Sequence, residues 1–227
     1  ILLQYLFTDY MHIEDFLSHD ATKAYIWYKQ ILQLLSYQIQ ETENPRRWTL
    51  KCPVHLFFIK EIATAFPDAR LIWTHRHPVT AVTSLCSLVK AFHSVYYTPE
   101  GLNSSALGQQ LKKVSVDVLH QASKDITESN VNCSHVLYNE LIKDPVKVVK
   151  DIYSQNGWEF SAAYEKNLTE YLEQNKKERE ALKKSGKGGE ALHHYAPELY
   201  GLTADELSTG GFKSYVDKFK VPTDSKK

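Results

Sequence analysis

Apolar residues recur at three-to-four spacing between Ala21 and Gln40, where Tyr25, Tyr28, Ile31, Leu32, Leu35 and Ile39 would share one face of a helix. Asp20 stands where an N-cap belongs, and Asn44-Pro45 breaks the pattern. Arg47 to Lys51 reads as a short strand. Pro53 marks a first helical turn, and Val54 to Phe66 reads as the helix behind it, stopped at Phe66-Pro67-Asp68. Ala69 to Thr74 is an apolar, partly β-branched run that suits a buried parallel strand. Pro78 opens a helix expected to reach about Tyr97, before the turn Thr98-Pro99-Glu100-Gly101. Leu107 to Ile126 predicts a further long helix, and Val136-Leu137-Tyr138 a third strand. Asp144-Pro145 opens a helix through Val148, Val149, Ile152 and Tyr153, closed at Asn156-Gly157. Ser161 starts the last long helix, through Tyr164, Leu168, Tyr171 and Leu172. Strands alternating with helices predict a helix-rich α/β fold, a parallel sheet with right-handed crossovers. No internal repeat or Pro/Gly-rich linker divides the chain, so residues 1–227 read as one domain with a thin sheet.

Composition narrows the function classes. Of 227 residues, 43% are apolar and 24% charged, which excludes a disordered chain. Lysine plus arginine, at 27, balances aspartate plus glutamate, at 27. A duplex-binding surface needs a basic excess, so no nucleic-acid partner is expected and any anion site must be local. No apolar run approaches 18 residues, so no membrane span is expected in this chain. Cys52, Cys86 and Cys133 lack CxxC or Cys/His spacing, which argues against a disulfide scaffold and a zinc site. The adjacent His193 and His194 have no partner ligands at helical or turn spacing, so no metal is expected. Sequons at Asn103, Asn132 and Asn167 keep a Golgi-lumenal or secretory location open beside the expected cytoplasmic one.

The segment Thr74-His75-Arg76-His77-Pro78 through Ser84 carries the most chemistry. An arginine at the carboxyl edge of a strand stands where ligands bind in open α/β sheets. The helix starting at Pro78 offers amides and the positive end of its dipole to an anion. Arg76 can fork onto a phosphate, and Ser84, two turns into the helix, can add a hydroxyl. From spacing alone, a surface arginine and an ordinary helical serine fit equally well.

Five segments in order turn that balance. Arg76, Pro78 and Ser84 resemble the 3′-phosphate-binding motif of sulfotransferases that use 3′-phosphoadenosine 5′-phosphosulfate (PAPS). Ala24 to Leu35 is similar to the helix that precedes the core in one broad subfamily. Trp48 to Leu56 is similar to its Trp-x-Leu-Lys-x-Pro-x-His-Leu signature. Phe66 to Arg70 resembles its lead into the phosphate motif, and Tyr138 to Pro145 its Tyr-Glu-Asp-Leu…Asp-Pro segment. The resemblance spans about residues 21 to 220 and implies a sheet of P-loop-kinase type. It further implies that Arg76 and Ser84 hold the 3′-phosphate and that Tyr138 lies against the adenine. It places Lys51 and His55 beside the transferring sulfuryl group, His55 as the base and Lys51 steadying the bridging oxygen. Lys187-Gly188 would be the counterpart of a late Arg-Lys-Gly segment over the 3′-phosphate, within a run that otherwise reads as a solvated helix face.

The family's Gly-rich phosphosulfate loop, which lies upstream of the matched segments, has no counterpart pattern in this sequence. The chain, which starts at Ile1, is therefore expected to lack the family's first strand and that loop. The implied reaction moves a sulfuryl group from PAPS to a hydroxyl or amine of a small-molecule or glycan acceptor. Aromatic residues Tyr5, Phe7, Tyr10, Phe92, Tyr96 and Tyr97 are candidates for an acceptor pocket and equally for core. A homodimer stays open. Two rivals remain: a small-molecule kinase on the same sheet, which needs a Lys-Ser/Thr phosphate loop, and a non-catalytic relative that binds partners through a retained fold.

Overall fold

The computed structural model describes residues 19–39, 47–95, 97–98, 101–185 and 196–224. The elements in chain order are α1 (Thr22–Ile39), a 3₁₀ turn (Pro53–Phe57), α2 (Ile59–Ala65), β1 (Arg70–His75), α3 (Pro78–His93) and α4 (Ser104–Glu128). They continue with β2 (Asn132–Leu137), α5 (Tyr138–Lys143), α6 (Pro145–Gln155), α7 (Ala162–Lys184), 3₁₀ turns at Pro197–Tyr200 and Gly210–Phe212, and α8 (Lys213–Phe219). β1 and β2 pair as a parallel two-stranded sheet, so the fold is helix-rich α/β.

Local signals explain the element starts. Asp20 Oδ1 accepts the Thr22 N–H at 2.8 Å and caps α1. Pro78 and Pro145 each occupy a first helical position, and Asp144 Oδ1 accepts the Lys147 N–H at 3.0 Å. Some expectations need correction. Residues 47–52 form no strand: a strand needs a ladder partner, and among the described residues only β1 and β2 pair. Instead, Trp48 Nε1–H donates to Ser36 Oγ at 2.8 Å, which ties this exposed segment to α1. The helix expected over 54–66 is a 3₁₀ turn followed by α2, with the break at Phe58. α3 ends at His93 rather than near Tyr97. β1 buries Trp73 and His75 but exposes Ile72 and Thr74, so it alternates rather than being covered on both faces. Within the α1 stripe Leu35 is exposed, as are Trp27 and Tyr37 on the same helix.

Contacts group the chain into two compact units, divided inside β1, α4 and β2. The first comprises residues 1–71 and 113–133. Its core is Ala21, Tyr25, Val54, Phe58, Ile62 and Ala65, with Tyr28, Cys52, Phe57 and Phe66 packed against it. Lys60 pairs with Asp125 and Glu128 at 3.0 Å each, joining α2 to the last turns of α4.

The second unit comprises residues 72–112 and 134–227. Val136, Val148 and Ile152 pack with Leu141 and Trp158. An aromatic cluster joins β1, β2 and α8. The His75 ring stacks on Phe219 at 4.2 Å between centroids, and Trp73 packs at 4.6 Å from His75 and 6.0 Å from Tyr215. Gly108 lets α4 meet the Pro197–Tyr200 turn, where a Cβ would collide with the Tyr200 carbonyl. Gly201 closes that turn at φ +60, a left-handed conformation that favours glycine. None of the three cysteines forms a disulfide among the described residues, and burial pushes the Cys86 thiol up to about 12.

Candidate nucleotide-binding and catalytic residues

In the second unit β1 delivers Arg76 at its carboxyl end. The residue before it is locked in place: His75 is 1% exposed and hydrogen-bonded on both ring nitrogens. His75 Nδ1 lies 3.0 Å from Tyr215 Oη, and His75 Nε2 lies 2.9 Å from His135 Nδ1. The Arg76 main chain opposes the rise that burial gives the Tyr215 pKa. With Tyr215 O–H donating to His75 Nδ1, His75 Nε2–H donates to His135 Nδ1. This order requires a neutral His75, and burial, with His135 adding to it, pushes the His75 pKa down to about 3. Burial raises the Tyr215 pKa, so its proton stays available to donate.

His77 then takes an extended conformation, and Pro78 starts α3. The expected free amides at this helix start are engaged. Val79 N–H reaches His77 Nδ1 at 3.4 Å, and the Thr80 and Ala81 N–H groups both donate to the His77 carbonyl at 3.0 Å. Side chains and the helix dipole are therefore what this corner offers an anion.

The Arg76 guanidinium is held on two sides. Its carbon lies 4.5 Å from the centre of the Tyr138 ring, and its Nε–H donates to Asp224 Oδ2 at 3.0 Å. Tyr138 is the first residue of α5 rather than the last of a strand, because β2 ends at Leu137. One face of its half-buried ring is covered by Arg76. Ser84 is half-buried two turns along α3, next to the fully buried Thr83. Lys187 and Gly188 lie outside the described residues, as do Tyr5, Phe7, Tyr10, Tyr96, His193 and His194.

In the first unit Lys51 is exposed in the extended segment before Pro53. His55 is half-buried in the 3₁₀ turn, its Nδ1 2.9 Å from Tyr25 Oη and its ring 5.8 Å and 6.5 Å from the rings of Tyr25 and Tyr28. Burial lowers its pKa. Burial also raises the Tyr25 pKa, so the phenol keeps its proton at neutral pH. If His55 Nδ1–H donates to Tyr25 Oη, the Nε2 lone pair is left to take a proton. Tyr25, Tyr215, His75, His135 and Asp224 were not singled out as site residues by sequence. Tyr25 carried a local signal in the apolar stripe of α1, and His75 in its place beside Arg76. Among the described residues no group of three or more His, Cys, Asp or Glu side chains is arranged to hold a metal.

Known proteins bear on this arrangement. The sulfotransferase family profile matches residues 3–162, well over half of the chain. The chain belongs to the sulfotransferase family. Two solved structures agree. The sulfotransferase STF9 from Mycobacterium avium superposes with a TM-score of 0.74 at 25% identity, covering 92% of this chain and 50% of that one. The sulfotransferase STF1 from Mycobacterium tuberculosis superposes with a TM-score of 0.60 at 24% identity, covering 85% of this chain and 45% of that one, and shows the fold alone. The sulfotransferase chain thus spans about half the length of these structures. No curated protein matches it. The expected P-loop-like α/β fold is borne out by these neighbours. No described helix is long and apolar enough to cross a membrane.

Proposed function

We propose that this sulfotransferase takes PAPS as donor and transfers its sulfuryl group to a hydroxyl or amine of a small-molecule or glycan acceptor. Family membership supports the reading, and the single structural observation behind it is Arg76, held between Tyr138 and Asp224 two residues before Pro78. In this reading Arg76 and Ser84 bind the 3′-phosphate, and Tyr138 meets the adenine. Lys187 and Gly188, outside the described residues, are assigned to the same phosphate by the resemblance alone.

The transfer is an in-line displacement at sulfur. The acceptor oxygen or nitrogen forms the new bond to sulfur. The bond from sulfur to the 5′-phosphate oxygen breaks, and 3′-phosphoadenosine 5′-phosphate leaves with that electron pair. His55 takes the acceptor proton at Nε2, and Tyr25 holds the ring through Nδ1. Lys51 steadies negative charge on the bridging oxygen. Positioning and charge stabilisation carry the rate, as in phosphoryl transfer.

The test is donor use. The full-length protein, given PAPS labelled in its sulfuryl group and a set of hydroxyl and amine acceptors, should label an acceptor and release the bisphosphate. It should not move the γ-phosphate of ATP. Transfer from ATP instead would point to a kinase. Tight binding of the bisphosphate with no transfer to any acceptor would favour the non-catalytic relative.

A further inference from the structure

We infer that Asp224 is a built-in competitor for the anion at Arg76: its carboxylate holds the guanidinium, and a phosphate must displace it to bind. This rests on the reading of Arg76 as the 3′-phosphate ligand.

Asp224 stands in for a phosphate in several ways. Its Oδ2 accepts from Arg76 Nε at 3.0 Å. Its charge reaches His77, the residue that caps α3, where it opposes the lowering of the His77 pKa by burial. The carboxylate thus lies at the positive end of a 16-residue helix, beside the arginine that ends β1. Yet its grip is incomplete, because Oδ1 is buried and accepts no hydrogen bond among the described residues. A better anion can replace such a partner.

The segment that carries Asp224 is lightly attached. α8 ends at Phe219, and Lys220 turns the chain at φ +50. Val221 is buried, and its N–H donates to the Val216 carbonyl at 3.0 Å, which anchors the turn. Pro222 and Thr223 are exposed, so three residues beyond the anchor bring the carboxylate to Arg76. Lifting them breaks the ion pair and exposes the carboxylate to water.

The sign of the effect follows from charge. Asp224 also orders the guanidinium, and an ordered arginine binds phosphate better. Ordering one side chain gains less than two anions lose by sharing one arginine a few ångströms apart. Removing the charge should therefore tighten binding. Nucleotide binding would accordingly be coupled to release of the segment after α8.

The test is titration of adenosine 3′,5′-bisphosphate and of AMP into wild type, Asp224→Asn, Asp224→Ala and Arg76→Ala. The asparagine keeps the size and one acceptor but loses the charge. Both Asp224 variants should bind the bisphosphate about tenfold more tightly and AMP unchanged. Unchanged or weaker bisphosphate binding in both would overturn the inference and make Asp224 a residue that holds Arg76 for its ligand. Arg76→Ala separates the two levels. If it keeps the bisphosphate preference, the reading of Arg76 fails and the inference with it.

Discussion

Replacing His55 with alanine is expected to slow sulfuryl transfer by the full-length protein about 10²–10⁴-fold, the scale on which a general base acts. Donor affinity should change little, because the assigned role concerns the acceptor's proton. The pH profile carries a second signature. A base must be neutral to work, so the rate rises as pH climbs through its pKa. Burial lowers the His55 pKa, which places that limb below the ordinary value of about 6.5. Loss of the limb in the variant would mark His55 as the titrating group. Near-normal turnover would place the base elsewhere. Lost nucleotide affinity with turnover intact would move His55 to the donor side.

Acid is expected to destabilise the second unit through His75. In the fold His75 is neutral down to about pH 3, while in the unfolded chain it protonates near 6.5. Between these values the unfolded state binds more protons, so stability falls as pH falls. Above about pH 6.5 this contribution is complete, and below it the loss approaches roughly 1.4 kcal/mol per pH unit. At pH 4.5 His75 alone should therefore remove roughly 2–3 kcal/mol. The groups facing it are His135, itself lowered chiefly by burial and then by Lys218, and the Tyr215 hydroxyl. Urea unfolding of wild type and His75→Phe at several pH values measures the effect. The variant leaves Tyr215 and His135 with one partner fewer, so it should start less stable at pH 7 and show a shallower decline with acid. Parallel pH dependences would mean that His75 does not titrate on unfolding.

The parts legible in sequence were those set by neighbours along the chain. Pro78 and Pro145 start helices because φ is fixed and no N–H is needed there. The run ending in Thr74-His75 makes β1, so Arg76 was placed at a strand end from local signals alone. Residues 47–51 have strand-like composition but found no ladder partner, and a strand is a property of two segments. What holds Arg76 was illegible for the same reason. Asp224 is 148 residues away and Tyr215 lies 140 residues from His75, and no local spacing pairs either with β1. Tyr138 was picked out as an aromatic face for a base. That one of its faces would be taken by Arg76 depends on how α5 starts after β2, which periodicity does not encode.

Binding of nucleotides by calorimetry tests the central claim most directly, since it needs no knowledge of the acceptor. Arg76 and Ser84 are assigned to the 3′-phosphate alone. A charge-assisted pair of this kind contributes roughly 1.5–3 kcal/mol, so wild type should bind 3′-phosphoadenosine 5′-phosphate about tenfold or more tightly than AMP. Arg76→Ala should erase that preference without lowering the melting temperature greatly. Equal affinity of wild type for the two nucleotides would contradict the account.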